Sequence, residues 1–419
     1  MRDTLKSRTK SPGKFNFLLL LGIIGPGLIT ANAGNDAGGI FTYASIGASY
    51  GYSMIWGLAI ITISLGVVQE MNARMAVVTG KGLSDLIREN FGVKLTLFAM
   101  TILLIANFGV VIADFAGIAA SLELFHVSRY ISVPIAAVLI WALVSKGSYK
   151  NVEKIFLALT FVFFGYIVTC FLIKPDWLQV MHAFVTPTLK INNSFLLTFI
   201  GMIGTTITPY MQFYLQSSIV DKRMKLSELK YEKVDVWFGS IWGMAIAFFI
   251  IVCTAGTLFK KGISISSAAQ AAGALAPLAG QYASVLFGIG LLGASILACS
   301  VIPLSTSYAI CEAFGFESGV DNKPKDAPVF YGIYTVIIAA GAAIILIPGL
   351  SLVGISILSQ QIAGILSPVI LIFMVCLVNN KRIMGKYVNT KLQNILSIGT
   401  VGFIVILTFI LFVVLPLMH

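Results

Sequence analysis

Apolar residues run through this chain in blocks of about 20 positions or more, the length an α-helix needs to cross a hydrocarbon core. Each block is closed by a Lys/Arg cluster or by Pro and Gly. The pattern predicts helices near 15–46, 51–78, 95–121, 130–145, 154–173, 194–220, 236–259, 281–313, 329–347, 351–378 and 394–418. Eleven such segments, with no polar stretch long enough for a soluble domain, predict an all-α polytopic membrane protein.

Two segments are interrupted in mid-span. The first carries Ala33-Gly34-Asn35-Asp36-Ala37-Gly38-Gly39, an acidic, glycine-rich break inside the apolar run. The sixth carries Gly201-Met202-Ile203-Gly204-Thr205-Thr206-Ile207-Thr208-Pro209-Tyr210, with a threonine cluster and a proline that removes a helix donor. Irregular backbone at membrane depth survives only where protein packs around it or it lines a watery cavity. A carboxylate there marks an ion site. Breaks five spans apart point to a binding site between two inverted repeats, here about 15–174 and 193–378, with 394–418 as an additional helix. The simplest occupant is a cation held by Asp36 and by backbone carbonyls freed at the breaks, those of Ala33 and Thr205.

Composition agrees with the pattern: of 419 residues, 58% are hydrophobic and 11% charged. The net charge of +11 is explained by topology rather than by a nucleic-acid partner. With the N-terminus inside, 23 of the 28 Lys and Arg fall on cytoplasmic turns and helix ends, the bias expected of short cytoplasmic loops. The odd number of spans then leaves His419 outside, and the prediction is a multi-pass protein of the cell inner membrane. Residues 1–14 are polar and basic, but the apolar run after them is too long for a signal peptide and lacks a cleavage-like end, so it is read as the first helix. Five cysteines lie in apolar segments without CxxC spacing, which indicates neither a disulfide framework nor zinc. No nucleophile triad or phosphate loop is present, so neither an enzyme nor a cofactor is implied. The oligomeric state is not read from the sequence, and a monomer is compatible with it.

Gly25-Pro26-Gly27 followed by Asp36-Ala37-Gly38-Gly39 resembles the first helix of the Nramp metal-ion transporters, whose motif there is Asp-Pro-Gly-Asn. Val78-Thr79-Gly80-Lys81-Gly82-Leu83 is similar to the family's second cytoplasmic turn, and Tyr214-Leu215-Gln216-Ser217 to the end of its sixth helix. Ser305-Thr306 with Ala309, and Ser359-Gln360 with Pro368, sit where similar patterns occur in helices eight and ten. The resemblance implies a LeuT-like fold of two inverted five-helix repeats plus an eleventh helix, and transport of divalent cations by alternating access.

Departures from the family pattern shape the expected chemistry. The resemblance implies ion contacts from the first motif and from Met-Pro-His in helix six. Here Asp36 is kept, Gly39 takes the asparagine position, and Thr208-Pro209-Tyr210 replaces Met-Pro-His; a one-residue shift puts Pro209 at the methionine instead. Either way the thioether is gone, although Met202 and Met211 are near enough to serve if the helix is rotated. Oxygen donors suit magnesium, calcium and manganese, and magnesium keeps several of its waters. Gly39 in place of Asn is expected to enlarge the site, with Gln360 as a partner for ion-bound water. The leading expectation is therefore Mg2+, and also Mn2+, carried in a largely hydrated form, as in the magnesium-transporting branch related to Nramp proteins.

The family's proton-coupled members carry titratable groups where this chain has Tyr210, Asn107, Asp114 and Gly117, so only Asp114 remains. Transport without proton coupling is expected, driven by a voltage worth about 4.6 kcal/mol per dication at 100 mV. Asp114 is read as a structural or pathway residue that either pairs with a cation such as Arg74 or lines the vestibule; Glu70 and Arg74 have the i, i+4 spacing of an ion pair. Asn35 either contributes an oxygen or forms the turn. Two alternatives stand: a proton-coupled Mn2+/Fe2+ importer of the Nramp type, and an amino-acid symporter of LeuT-like fold, whose substrate carboxylate Asp36 would repel.

Overall fold

The computed structural model describes residues 34–145, 161–319 and 323–417. The long helices are α1 (Ala37–Tyr50), α2 (Ile55–Thr79), α3 (Leu83–Glu123), α4 (Arg129–Ser145), α5 (Phe164–Ile173), α6 (Trp177–Val185) and α7 (Asn193–Thr206). They continue as α8 (Pro209–Asp221), α9 (Leu229–Thr257), α10 (Ala283–Phe314), α11 (Pro328–Ile345), α12 (Leu352–Val378) and α13 (Lys391–Phe409). Eight stretches are long and apolar enough to cross a membrane, with α7 and α8 counted as one; α4, α5 and α1 are shorter apolar helices. The eleven predicted segments are thus all represented among the described residues. The first half of the first segment, with Ala33, lies outside them.

Boundaries differ where charge masked the apolar signal. α3 begins at Leu83 rather than near 95, because the turn with Asp85, Arg88 and Glu89 is helical up to a kink at Gly92, whose φ of 73° suits a residue without Cβ. α9 begins at Leu229, seven residues before the predicted start at 236, because Glu232, Lys233 and Asp235 lower the local hydropathy without breaking the helix. α6 was not predicted, being too short to span; Asp176 caps it by accepting from the Leu178 and Gln179 amides at 3.0 and 3.1 Å.

The sixth segment breaks at Ile207-Thr208, and α8 restarts with Pro209 in its first turn, where a missing N–H costs nothing. This broken helix is the most enclosed span, with 83% of its apolar window buried, whereas the span of α13 has 22% buried and lies on the rim. Around it α3 packs along α10 and α12, and α1 lies against α9, α12 and α7. α7 and α12 meet backbone to backbone: a Cβ on Gly204 would fall 2.0 Å from the Gln360 carbonyl oxygen, and one on Gly364 would fall 2.3 Å from the Ile200 carbonyl. Only glycine permits that approach.

Candidate metal site

The two breaks touch. Thr205 donates its hydroxyl to the Gly34 carbonyl at 3.3 Å, and the next residue, Thr206, shares a hydrogen bond with Tyr43 of α1 at 2.8 Å. Asp36 is the N-cap of α1, with extended backbone, and its Oδ1 accepts from the Gly39 amide at 2.7 Å. It is 4% exposed. A carboxylate at that position meets the positive end of the helix, which orients it toward the break.

Asp114 of α3 reaches the same turn, which the sequence did not show. Its Oδ1 accepts from the Ala37 amide at 3.3 Å, while Oδ2 is buried without a hydrogen-bond partner. The expected Arg74 pairing is corrected: the Arg74 guanidinium is taken by Glu70 at 3.1 Å, by the Tyr387 carbonyl at 2.7 Å and by Asn389 at 2.5 Å. Among the described residues, the ion pairs formed involve neither Asp36 nor Asp114. Two buried carboxylates on one turn with no cation beside them are costly unless positive charge arrives. The signal that could have marked Asp114 was its isolation in an apolar run of α3 with no Lys or Arg one turn away.

Gln360 closes the site from α12. Its amide lies against the backbone of Gly38, so closely that a Cβ there would fall 1.8 Å from Nε2, and both amide atoms are buried without a partner. Thr208 is turned back into its own break, donating to the Gly204 and Thr205 carbonyls at 2.8 and 3.1 Å. Those two carbonyls lack helix donors four residues on, since the chain leaves the helix at Thr208 and residue 209 is proline. Tyr210 is fully buried within electrostatic reach of Asp36 and Asp114. Gly39 does not open the space expected of it: a Cβ there would fall 2.3 Å from the Gly34 carbonyl and 2.8 Å from the Thr205 hydroxyl, so backbone and hydroxyl occupy that volume. Asn35 turns away, donating to the Gly243 carbonyl at 3.4 Å. The Met202 methyl stands 2.7 Å from where a Cβ on Gly57 would be, directed at α2. Among the described residues, the oxygens of Asp36, Asp114, Gln360 and the Thr205 hydroxyl are gathered at the break.

The family model for natural resistance-associated macrophage protein-like (Nramp) sequences matches residues 27–414. The chain belongs to the Nramp family. Two Nramp relatives, each named divalent metal cation transporter MntH, are 27% identical: that of Caldanaerobacter subterraneus over 92% of this chain and 91% of its own length, and that of Bacillus subtilis over 90% and 88%. Among solved structures, the manganese transporter of Eremococcus coleocola superposes with a TM-score of 0.76 at 20% identity, covering 96% of this chain and 89% of that one. The nucleobase-cation-symport-1 family transporter Mhp1 does so with a TM-score of 0.53 at 14% identity, covering 84% and 77%. The fold is that of the Nramp and LeuT-like transporters, and this Nramp chain is a multi-pass membrane protein.

Proposed function

We propose that the chain carries divalent metal cations across the membrane, taking up one ion where the α1 break meets the α7–α8 break. The observation that carries the reading is that two buried carboxylates, Asp36 capping α1 and Asp114 of α3, meet the same α1 turn without a paired cation among the described residues. Manganese is the ion named for the structural neighbour from Eremococcus coleocola, the curated relatives are named for divalent metal cations, and a hard oxygen donor set suits manganese. A proton-coupled Mn2+/Fe2+ importer is accordingly the first reading, with Asp114, which meets the Asp36 turn through the Ala37 amide, as its proton-carrying group.

A second reading, Mg2+ moved by voltage alone, is favoured by two features: the Met202 thioether is directed at α2 rather than at the Asp36 turn, and Asn107 and Gly117 stand where a relay would need acids. Flux into proteoliposomes with voltage and pH set independently separates the two. Mn2+ uptake accompanied by lumenal acidification supports the first; Mg2+ uptake that follows voltage at constant lumenal pH supports the second. In either case Asp36→Asn should lower uptake about tenfold or more, the equivalent of about 1.4 kcal/mol of lost interaction. Unchanged flux in that variant, or no flux of any dication in the parent, overturns the proposal.

A further inference from the structure

Glu232 lies in the first turn of α9 and is fully buried. Neither carboxylate oxygen has a hydrogen-bond partner among the described residues. Such a group is ordinarily found with an ion pair or a set of donors, since a bare carboxylate in a protein interior costs several kcal/mol. The neighbours do not supply one. Lys233, next in sequence, points to the other flank, where its Nζ meets Glu70 Oε1 at 2.7 Å. Asp235, one turn on and also buried, adds like charge, and the exposed Lys222 contributes positive charge without a hydrogen bond to Glu232.

The position of Glu232 on its helix connects it to the metal site. Residues 232, 239 and 243 are separated by seven and eleven positions, which at about 100° per residue places them on one face within about 20°. Two of the three are glycines, Gly239 and Gly243, both buried. The Gly243 carbonyl accepts from Asn35, the neighbour of Asp36. Eleven residues at about 1.5 Å each put Glu232 about 16 Å from that contact, toward the end of the bundle where Lys222, Arg223, Lys225 and Lys230 cluster. Gly239 and Gly243 contribute no side chains of their own to that face.

We propose that Glu232, with Asp235 beside it, is a second binding point for the divalent cation, occupied on the Lys-rich side of the Asp36–Asp114 turn. The inference rests on the transport reading above. Carboxylate oxygens suit a hard dication, and a bound ion supplies positive charge in direct contact with Glu232, where Lys222 acts only at a distance. A dication stepping between two carboxylate sites also avoids crossing the inner half of the membrane in a single unaided move.

Equilibrium Mn2+ binding to the full-length protein in detergent, followed by electron paramagnetic resonance, tests this. The parent should bind two ions, Asp36→Asn one, and Asp36→Asn combined with Glu232→Gln none. In proteoliposomes Glu232→Gln alone should lower the maximal uptake rate about tenfold without moving the outside concentration for half-saturation, and Glu232→Asp should recover part of the rate. Thermal unfolding of each variant confirms that it is folded; Glu232→Asp serves if the glutamine variant is not. Equal binding by Asp36→Asn and the double variant, or a parent that binds one ion only, overturns the second site and leaves the transport reading standing. A parent that binds no ion overturns the transport reading itself.

Discussion

Gly38 and Gly39 are adjacent in the α1 break yet face different neighbours, and the difference sets what each can tolerate. A Cβ at Gly38 meets the end of the Gln360 side chain, which can swing aside; a Cβ at Gly39 meets the Gly34 carbonyl, which cannot move without the turn. Gly39→Ala is therefore expected to cost about 1–3 kcal/mol as an overpacked core position, seen as a lower unfolding temperature in detergent. Gly38→Ala should leave that temperature nearly unchanged while altering ion affinity through the displaced amide; the reverse order would mean the two contacts are misassigned. At this scale Asp36 stands out in the sequence by residue type, a carboxylate in apolar surroundings, whereas Gln360 is singled out through the family resemblance in helix ten. Asp114 was visible but could not be placed, since its partner is a backbone amide of another helix. Gly39 misled for a related reason: a glycine in a sequence does not disclose whether its missing side chain leaves room or makes contact.

The broken sixth segment shows how a single residue type shapes an element. Pro209 removes the donor that the Thr205 carbonyl needs, and the Thr208 hydroxyl replaces it. Pro209→Ala restores an N–H at that position, so the helix should run closer to straight, with a higher unfolding temperature and uptake reduced about tenfold or more. Thr208→Ala should act in the opposite sense on stability, leaving the Gly204 and Thr205 carbonyls short of a donor at about 1–2 kcal/mol, and Thr208→Ser should recover it. If both variants transport like the parent, the break is incidental to ion binding. The break itself was legible, because Pro with flanking Gly and Thr has few other uses in mid-span. The early start of α9 was not: a hydropathy window treats Glu232 and Asp235 as exposed ends, whereas tertiary packing buries both.

At the scale of the whole molecule, one polar network ties distant parts of the chain together. Glu70 on α2 is held by Arg74, by Lys233 of α9 and by Gln393 of α13 at 3.0 Å, while Arg74 reaches Asn389 and the Tyr387 carbonyl. Arg74→Met leaves Glu70 buried with fewer partners and should destabilise the fold by about 3–5 kcal/mol, whereas adding Glu70→Gln should return part of the loss; comparing unfolding midpoints of the single and double variants measures this. The i, i+4 spacing revealed the pair but not its extension to α9 and α13, since those contacts join residues about 160 to 320 positions apart. The number of spans and the class of fold were open to reading because each helix must be apolar for its own length. How the helices lean on one another depends on shape, which hydropathy does not record. At the tightest of these approaches Gly204 of α7 seats on the Gln360–Gly364 backbone of α12. With no side chain in that joint, even one added methyl is a wedge that pries the broken segment off its neighbour.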